Sequence, residues 1–330
     1  MSISAMSVFH WIDRTNGALS PLALATTVAA LALGVARDAG AQRRQSYNSG
    51  YTARVDTTFA FDKTGSLTLT AANGDIVVTG WSRDQIHVRA VSDDDNIRFD
   101  ASSSRVILEV AGSRRGSDTR FEVSVPYGVR VSARSLTGDL TIRGTRGQVE
   151  ARAQNGDIRI DDAATRLDVN TLSGEITADA VSGDVSISTV SGEVRLSDVR
   201  GNVDIGTVSG DIDLQGVTAK IVRAKTTSGE VSFDGTIDPA GRYELSTHSG
   251  DIGLHIPRDA NAQLTVSTWS GSIDSQFPIT LKPGDEHGIS VSRSKRYTFE
   301  IGGGAARIAA DTFSGDITIS SNGRGATQRR

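Results

Sequence analysis

Apolar and polar residues follow a nine-residue repeat from Thr137 onward. Two consecutive units read SGDVSISTV over 182–190 and SGEVRLSDV over 191–199. The fourth, sixth and ninth positions are apolar, and the fourth and sixth alternate with polar residues, as in a half-buried β-strand. The repeat therefore predicts short strands whose fourth, sixth and ninth side chains face a core.

Each strand is introduced by a turn of Ser-Gly, or an equivalent pair, followed by an acid. The chain has 35 glycines and only 6 prolines, which indicates many tight turns. Outside the regular block the pattern is strand, turn, strand, as in AKIVRAKTT–SGEVSFDG, so two nine-residue units make one coil. Stacked repeats of this kind indicate a solenoid. We predict an all-β fold, a two-sheet β-solenoid resembling a β-helix, with about ten coils of 18–22 residues.

This solenoid is predicted over residues 55–321, with two interruptions. Residues 86–125 read as three extra strands joined by polar turns, either longer excursions or a cap. Residues 279–300 read as a loop insertion between late coils. Trp269 and Phe313 each stand just before a Ser-Gly turn, which suggests a wider core or a cap near the C-terminus.

The two ends of the chain have a different character. Leu22–Val35 is a run of apolar and small residues, followed by the small-residue pattern Ala39-Gly40-Ala41. Its length and flank are typical of a signal peptide, predicted over 1–41, rather than of a membrane span. Residues 42–54 read as a flexible leader and 322–330 as a disordered tail. The chain is thus expected to be exported, with no transmembrane span after signal cleavage.

The composition restricts the function. Hydrophobic residues make up 37% and aromatic residues 5%, both low for the core of a globular enzyme. The formal net charge of −4 predicts no nucleic-acid partner. The absence of cysteine excludes disulfides, thiol catalysis and cysteine-ligated metal sites.

The third position of the turns is the main candidate for chemistry. If a coil has 18–22 residues, alternate turns fall on the same edge of the solenoid. The opposite edge carries a mixed set, Gln148, Arg166, Asp184, Asn202 and Lys220. The first edge carries an acidic ladder: Asp75, Asp139, Asp157, Glu175, Glu193, Asp211, Glu230, Asp251 and Asp316, with Ser272 in the same position.

Two interpretations of this ladder stay open. Its carboxylates accept hydrogen bonds from turn amides, or they bind a cation such as Ca²⁺. A calcium β-roll would need a Gly-Gly-x-Gly-x-Asp run, whereas each unit here has one glycine and one acid. No other cofactor or metal site and no catalytic residue is predicted.

The coil signature resembles a bacterial family of β-strand-repeat proteins called putative adhesins, a domain of unknown function. The resemblance rests on Gly65-x-Leu67-x-Leu69, on Asn73-Gly74-Asp75-Ile76-x-Val78-x-Gly80-Trp81, on Pro126-Tyr127-Gly128-Val129 and on the Ser-Gly-Asp/Glu series. It covers residues from about 55 to 320. The resemblance implies an exported or envelope-associated β-solenoid and brings no catalytic residues.

These observations favour an exported, non-catalytic binding or structural module at the cell envelope, acting as an adhesin on an envelope polysaccharide or another cell-surface component. It would reside in the periplasm, on the cell surface or outside the cell, and its oligomeric state is not predicted. One alternative is a polysaccharide-active β-helix enzyme, which requires a groove lined by acids and aromatic residues. The other is a cation-binding solenoid that uses the acidic edge.

Overall fold

The computed structural model describes residues 50–93, 97–110, 119–278 and 295–321, which all lie within one compact unit, Tyr47–Arg330. Within these ranges the regular elements are all β-strands. The strands are β1 (Gly50–Thr52), β2 (Arg54–Ala60), β3 (Ser66–Asn73), β4 (Asp75–Trp81), β5 (Gln85–Ser92), β6 (Ile97–Ala101), β7 (Arg105–Val110), β8 (Thr119–Pro126), β9 (Arg130–Thr137), β10 (Leu140–Arg143), β11 (Val149–Asn155), β12 (Ile158–Asp161), β13 (Ala164–Asn170), β14 (Ile176–Asp179), β15 (Ser182–Ser188), β16 (Val194–Ser197), β17 (Val203–Gly206), β18 (Ile212–Ser228), β19 (Val231–Ser249), β20 (Ile252–Ile256), β21 (Ala262–Ser270), β22 (Ile273–Ser275), β23 (Lys295–Ile301), β24 (Ala306–Ser314) and β25 (Ile317–Ser321). No helix in the described ranges is long and apolar enough to cross a membrane.

Parallel strands stack into two ladders that meet at the Ser-Gly turns. The pre-turn ladder runs β7–β3–β9–β11–β13–β15–β17–β18–β19–β24–β21. The post-turn ladder runs β8–β4–β10–β12–β14–β16–β18–β19–β20–β25–β22. Read together, the two orders give eleven coils, close to the ten expected. The long strands β18 and β19 belong to both ladders because each continues around the opposite edge.

The core lies between the ladders and is built from aliphatic side chains. In the central coils the register advances by 18 residues, so Leu140, Ile158, Ile176, Val194 and Ile212 stack on one another. Each of these side chains is almost completely buried. β-Branched residues suit this pleated, enclosed surface. The period-2 prediction for the fourth and sixth positions is therefore confirmed.

The stacking order differs from the sequence order at both ends, which the repeat pattern did not predict. The coil β7–β8 lies outside β3–β4, although it follows β3–β4 along the chain. The last coil, β24–β25, lies between the coils β19–β20 and β21–β22. Both of its strands are therefore paired along both edges within the stack.

Antiparallel strands cover the ends of the stack. At one end β6 pairs with β7 and β5 pairs with β8, and these are in turn flanked by β1 and β2. This region thus holds four strands instead of the three predicted over residues 86–125, since β6 was not predicted. In addition, β5 begins one residue earlier, at Gln85. Two of the four, β7 and β8, form a coil, and the other two form a cap. Such pairing protects strands that would otherwise offer unpaired backbone groups.

Two boundary predictions need correction. In the expected loop 279–300, residues 279–294 lie outside the described residues, but Lys295–Ile301 form β23, which pairs antiparallel with β21. In the expected leader 42–54, residues 42–49 lie outside the described residues, but Gly50–Thr52 form β1, and β2 begins at Arg54. Short polar segments were taken for loops because strands at a sheet end show little apolar alternation. The predicted signal peptide 1–41 and tail 322–330 lie outside the described residues.

Candidate functional site

The acidic edge is one continuous row of turns. A Ser, Asn or Thr residue precedes each turn glycine. These residues form parallel β-bridges from coil to coil, as between Ser173 and Ser191 and between Ser191 and Ser209. The third turn positions are therefore stacked at the strand spacing of about 4.8 Å. The structure thus brings together all of the ladder residues predicted from the sequence.

Each aspartate in the row binds the backbone of the neighbouring coil. The backbone N–H of Asp157 donates to Oδ1 of Asp139 (2.9 Å), and the N–H of Glu175 donates to Oδ1 of Asp157 (2.8 Å). The same contact recurs at Asp139 to Asp75 (3.2 Å), Glu230 to Asp211 (2.8 Å), Asp316 to Asp251 (2.7 Å) and Ser272 to Asp316 (2.7 Å). These bonds offset the repulsion between carboxylates by supplying a donor between neighbouring coils.

Glutamate behaves differently at the same position. Among the described turns, the glutamates accept no such inter-coil amide bond, because the extra methylene moves the carboxylate away from the next coil. Instead Glu175 and Glu193 both form ion pairs with Arg195. On the opposite edge, Asp184 and Asn202 make the aspartate type of contact, accepting the N–H groups of Asn202 and Ile221 (3.1 Å each). The short Asp or Asn side chain, rather than the acid alone, is what this contact requires.

Substituting Asp157 tests the inter-coil contact. We expect Asp157→Ala to lower the free energy of unfolding by about 1 kcal/mol, as the loss of a helix N-cap does, since the Glu175 amide loses its acceptor. Asp157→Asn keeps an Oδ1 acceptor and serves as the matched control, with a smaller loss. Urea unfolding of the three proteins measures the difference, and equal losses in both variants would contradict the contact.

The lowered pKa values of two aspartates make the stability of the fold depend on pH. The backbone N–H and the side chain of Ser272 lower the pKa of Asp316 from its ordinary value of 3.8, and hydrogen bonds from Thr64 lower that of Asp62 in the same way. A carboxyl with a lowered folded-state pKa stabilises the fold above its unfolded pKa and loses this contribution as the pH falls through the folded value. We expect the melting temperature to decrease as the pH is lowered below about 4. Asp316→Asn should weaken this fall, and an unchanged pH profile in that variant would contradict the assignment.

Calcium binding at the acidic edge stays an alternative interpretation, which a calcium titration can test. Ca²⁺ prefers six to eight oxygen ligands, whereas no group of three or more His, Asp or Glu residues in the described ranges is placed to hold a metal. Each ladder aspartate also has Oδ1 committed to an amide. We therefore expect millimolar Ca²⁺ to change the melting temperature by less than about 1 °C. A saturable rise of several degrees would instead support the cation-binding solenoid.

The two edges orient the residue before the turn in opposite ways. On the opposite edge Ala180 and Asp198 have φ values of 53° and 51°, and the residues that follow them, Val181 and Val199, point into the core. On the acidic edge the equivalent residues, such as Thr189, do not have a positive φ, so inward and outward side chains continue to alternate strictly up to the turn. There Thr189 points inward and its hydroxyl donates to the carbonyl of Ser191, while the next residue points outward.

The prediction that every ninth position faces the core is therefore wrong at half of the turns. Val199 and Val217 are buried, but Val190 and Val208 are 44% and 51% exposed. They belong to a row that we call the apolar ridge, formed by the residues just before the turns of the acidic edge. Ala72 lies at the start of this row, and from the next coil onward the ridge is, in stacking order, Leu136, Gln154, Leu172, Val190, Val208, Thr227, His248, Phe313 and Trp269.

The end of the ridge is aromatic. His248 stacks on Phe313 with ring centroids 4.8 Å apart, and Phe313 stacks on Trp269 at 5.9 Å with an interplanar angle of 6°. Phe313 and Trp269 are 49% and 43% exposed, so they form neither the wider core nor the cap that the sequence suggested. The sequence signal for this ridge was the apolar ninth position of the repeat, as at Val190 and Val208, which was interpreted as core.

Three solved structures are similar to this chain at low sequence identity. A crystal structure described as a putative cell adhesion protein from Clostridium sporogenes is 9% identical, with a TM-score of 0.25, and the match covers 82% of this chain and all of that one. A putative adhesin from Bacteroides fragilis is 10% identical, with a TM-score of 0.32 and coverage of 82% and 99%. A putative lipid binding protein from Parabacteroides distasonis is 11% identical, with a TM-score of 0.34 and coverage of 81% and 96%.

No curated protein sequence matches the chain. A family model, in contrast, matches residues 64–320, a range that begins just before β3 and ends within β25. This range includes every coil and the whole acidic edge. The chain belongs to the Toastrack DUF4097 family.

Proposed function

We propose that this chain is an exported, non-catalytic binding or structural module of the cell envelope that engages an extended polymer, an envelope polysaccharide, or another cell-surface component. The observation that carries the proposal is the stack of eleven coils, whose outward positions repeat from coil to coil. The apolar run Leu22–Val35 supports export.

The outer face of the pre-turn ladder shows the repetition. Glu150, Asp168, Ser186 and Asp204 occupy equivalent outward positions on four successive coils. These short polar side chains offer hydrogen-bonding groups at a spacing of about 4.8 Å. Small-molecule sites are generally concave and largely apolar. A flat, repeating, polar face suits an extended polymer better.

The titration behaviour supports a role without catalysis. A carboxyl that acts as general acid near neutral pH has a raised pKa. The described carboxyl groups with a resolved shift are Asp62, Glu244 and Asp316, and in each of them hydrogen bonds to the charged form lower the pKa. The pKa of Tyr243 is raised by burial, but its hydroxyl is held by the carbonyl of Ala219 and the N–H of Asp238, a structural arrangement.

Binding of the chain beginning at Gln42 to envelope glycans and to intact cells tests the proposal. We expect affinity for long polysaccharides to exceed affinity for short oligosaccharides of the same sugar, with no shortening of the polymer. Ser186→Arg and Thr177→Arg lie on opposite ladders, and the variant that loses binding identifies the face. Absence of binding to glycans and cells would overturn the proposal, and release of oligosaccharides would favour the enzyme alternative.

A further inference from the structure

The apolar ridge is an exposed feature that the proposed function does not use. Leu172, Val190 and Val208 occupy three successive coils and are 56%, 44% and 51% exposed. Single exposed apolar residues are ordinary on protein surfaces, whereas a contiguous apolar stripe marks an interaction surface. Beyond Val208 the ridge continues through Thr227 to the aromatic stack of His248, Phe313 and Trp269. The ridge is therefore expected to bind a partner that presents an apolar row of similar length.

At Phe313 the aromatic stack offers no open ring face to a sugar. Sugars pack against the open faces of aromatic rings. The ring of Phe313 has one face against His248 and the other against Trp269, so only its edge is directed outward. Aliphatic ridge residues offer no ring face either. The ridge instead presents side chains that can pack against other apolar side chains.

Charges of opposite sign flank the ridge. On the pre-turn side, two residues before the ridge position, three of the nine coils carry exposed cations, Arg134, Arg152 and Lys225. The equivalent position is neutral on the other coils, apart from Asp311 beside Phe313. On the turn side, three residues after the ridge position, Asp139 and Glu230 lie on two of the same coils. The third of these coils carries Asp157 at the corresponding position. On these three coils the ridge thus has a cation on one flank and an anion on the other, at matching heights.

This arrangement is self-complementary for one symmetry. A two-fold axis parallel to the stacking direction exchanges the flanks, so on these three coils the anion of one copy faces the cation of the other. A two-fold axis perpendicular to that direction would place the two anionic flanks together, which is repulsive. Because the coil spacing of about 4.8 Å is the same in both copies, the ridge positions of two parallel copies coincide at every coil.

We propose that the apolar ridge is the interface of a homodimer in which two parallel copies pair along their acidic edges, each ridge residue facing its own counterpart. Such a contact is isologous, as in most protein dimers. Nine ridge positions extend over about 40 Å. With a contact width of about 13 Å, the dimer buries roughly 1,000 Å² in total, the low end for specific interfaces. A dissociation constant in the micromolar range is therefore expected.

Engineered cysteines test the geometry directly, since the chain has no cysteine of its own. In the parallel dimer Val208 faces Val208, so Val208→Cys should be cross-linked into a covalent dimer by a short bis-maleimide. The matched control is Ile221→Cys, which is 39% exposed on the opposite edge and should remain uncross-linked. Cross-linking of both variants to the same extent would indicate random collision and would overturn the proposal.

Charge reversal tests the pairing of the flanks between copies. Lys225→Glu or Glu230→Lys alone places like charges across the interface twice, so each should weaken dimerisation by at least about tenfold. When the two variants are mixed, both contacts become attractive again, and a heterodimer should form with the affinity of the unmodified chain. Analytical ultracentrifugation measures this, and failure of the mixture to associate would contradict the parallel pairing.

The oligomeric state of the unmodified chain gives the remaining outcomes. A chain that remains monomeric at about 100 µM overturns the proposal. So does a monomer whose polysaccharide binding is lost in Val190→Lys and Val208→Lys, because the ridge would then have a different occupant. Both substitutions are at exposed positions, and circular dichroism verifies folding. Dimerisation is measured without glycan, so it is independent of the function proposed above.

Discussion

A chain truncated after Gly304 is expected to lose the folded C-terminal part of the solenoid. The removed coil, β24–β25, pairs with β19–β20 on one side and with β21–β22 on the other. It also carries Ile308, Ile317 and Ile319, all fully or almost fully buried. Burying three such side chains contributes about 5–9 kcal/mol, which is comparable to the total stability of many domains. Urea unfolding should show a lower midpoint and a smaller m-value.

The control is truncation after Ser321, which removes only residues beyond β25 and should leave the midpoint unchanged. Limited proteolysis locates the damage, because β21–β22 loses its only parallel neighbour among the described strands and should be cleaved first. A truncation after Gly304 that unfolds like the full chain would show that the last coil is peripheral. That result would contradict its place between two other coils.

Gly192→Ala is expected to lower the free energy of unfolding by about 3–5 kcal/mol. The φ angle of Gly192 is 134°, a conformation that residues with a Cβ rarely adopt. A Cβ at this position would also lie 2.1 Å from the carbonyl oxygen of Gly174 in the next coil. Because that oxygen belongs to the backbone of a stacked turn, it cannot move aside without breaking the ladder. Thermal and urea unfolding measure the loss.

Gly206 provides a matched control within the same stack. It is not in the positive-φ region, and a Cβ there would contact nothing within 4 Å. Gly206→Ala should therefore be neutral, or stabilising by about 0.5 kcal/mol through a less flexible unfolded chain. Similar losses in the two variants would mean that the turn geometry is not the cause.

The repeat made the coil predictable because alternation and turn chemistry act locally. Ile187 and Leu196 were placed correctly in the core, and the acidic residues were placed correctly on one edge. Val190 and Val208 were misplaced because the pattern does not distinguish the two edges. The left-handed residue that turns Val199 inward is Asp198, an ordinary aspartate in the sequence.

The stacking order at the ends could not be predicted either. A nine-residue pattern specifies which residues face the core but not which coil is the neighbour, since every coil offers a similar ladder. The position of β24–β25 depends on pairing choices between distant segments, such as Ile256 with Ser321. Likewise, the aspartates were recognised as turn residues, but their amide partners lie on the next coil, 18 or more residues away.

The inserted last coil sets the time at which the structure can be completed. The coil β21–β22 emerges from the ribosome before β24–β25, yet its parallel neighbour is the later segment. Until that segment arrives, two strand edges stay open, one on β19–β20 and one on β21–β22. The coils β19–β20 and β21–β22 can therefore be joined only after the chain as far as β25 is available. Any factor that shields open strand edges before folding is complete would act on these two coils, rather than along the whole stack.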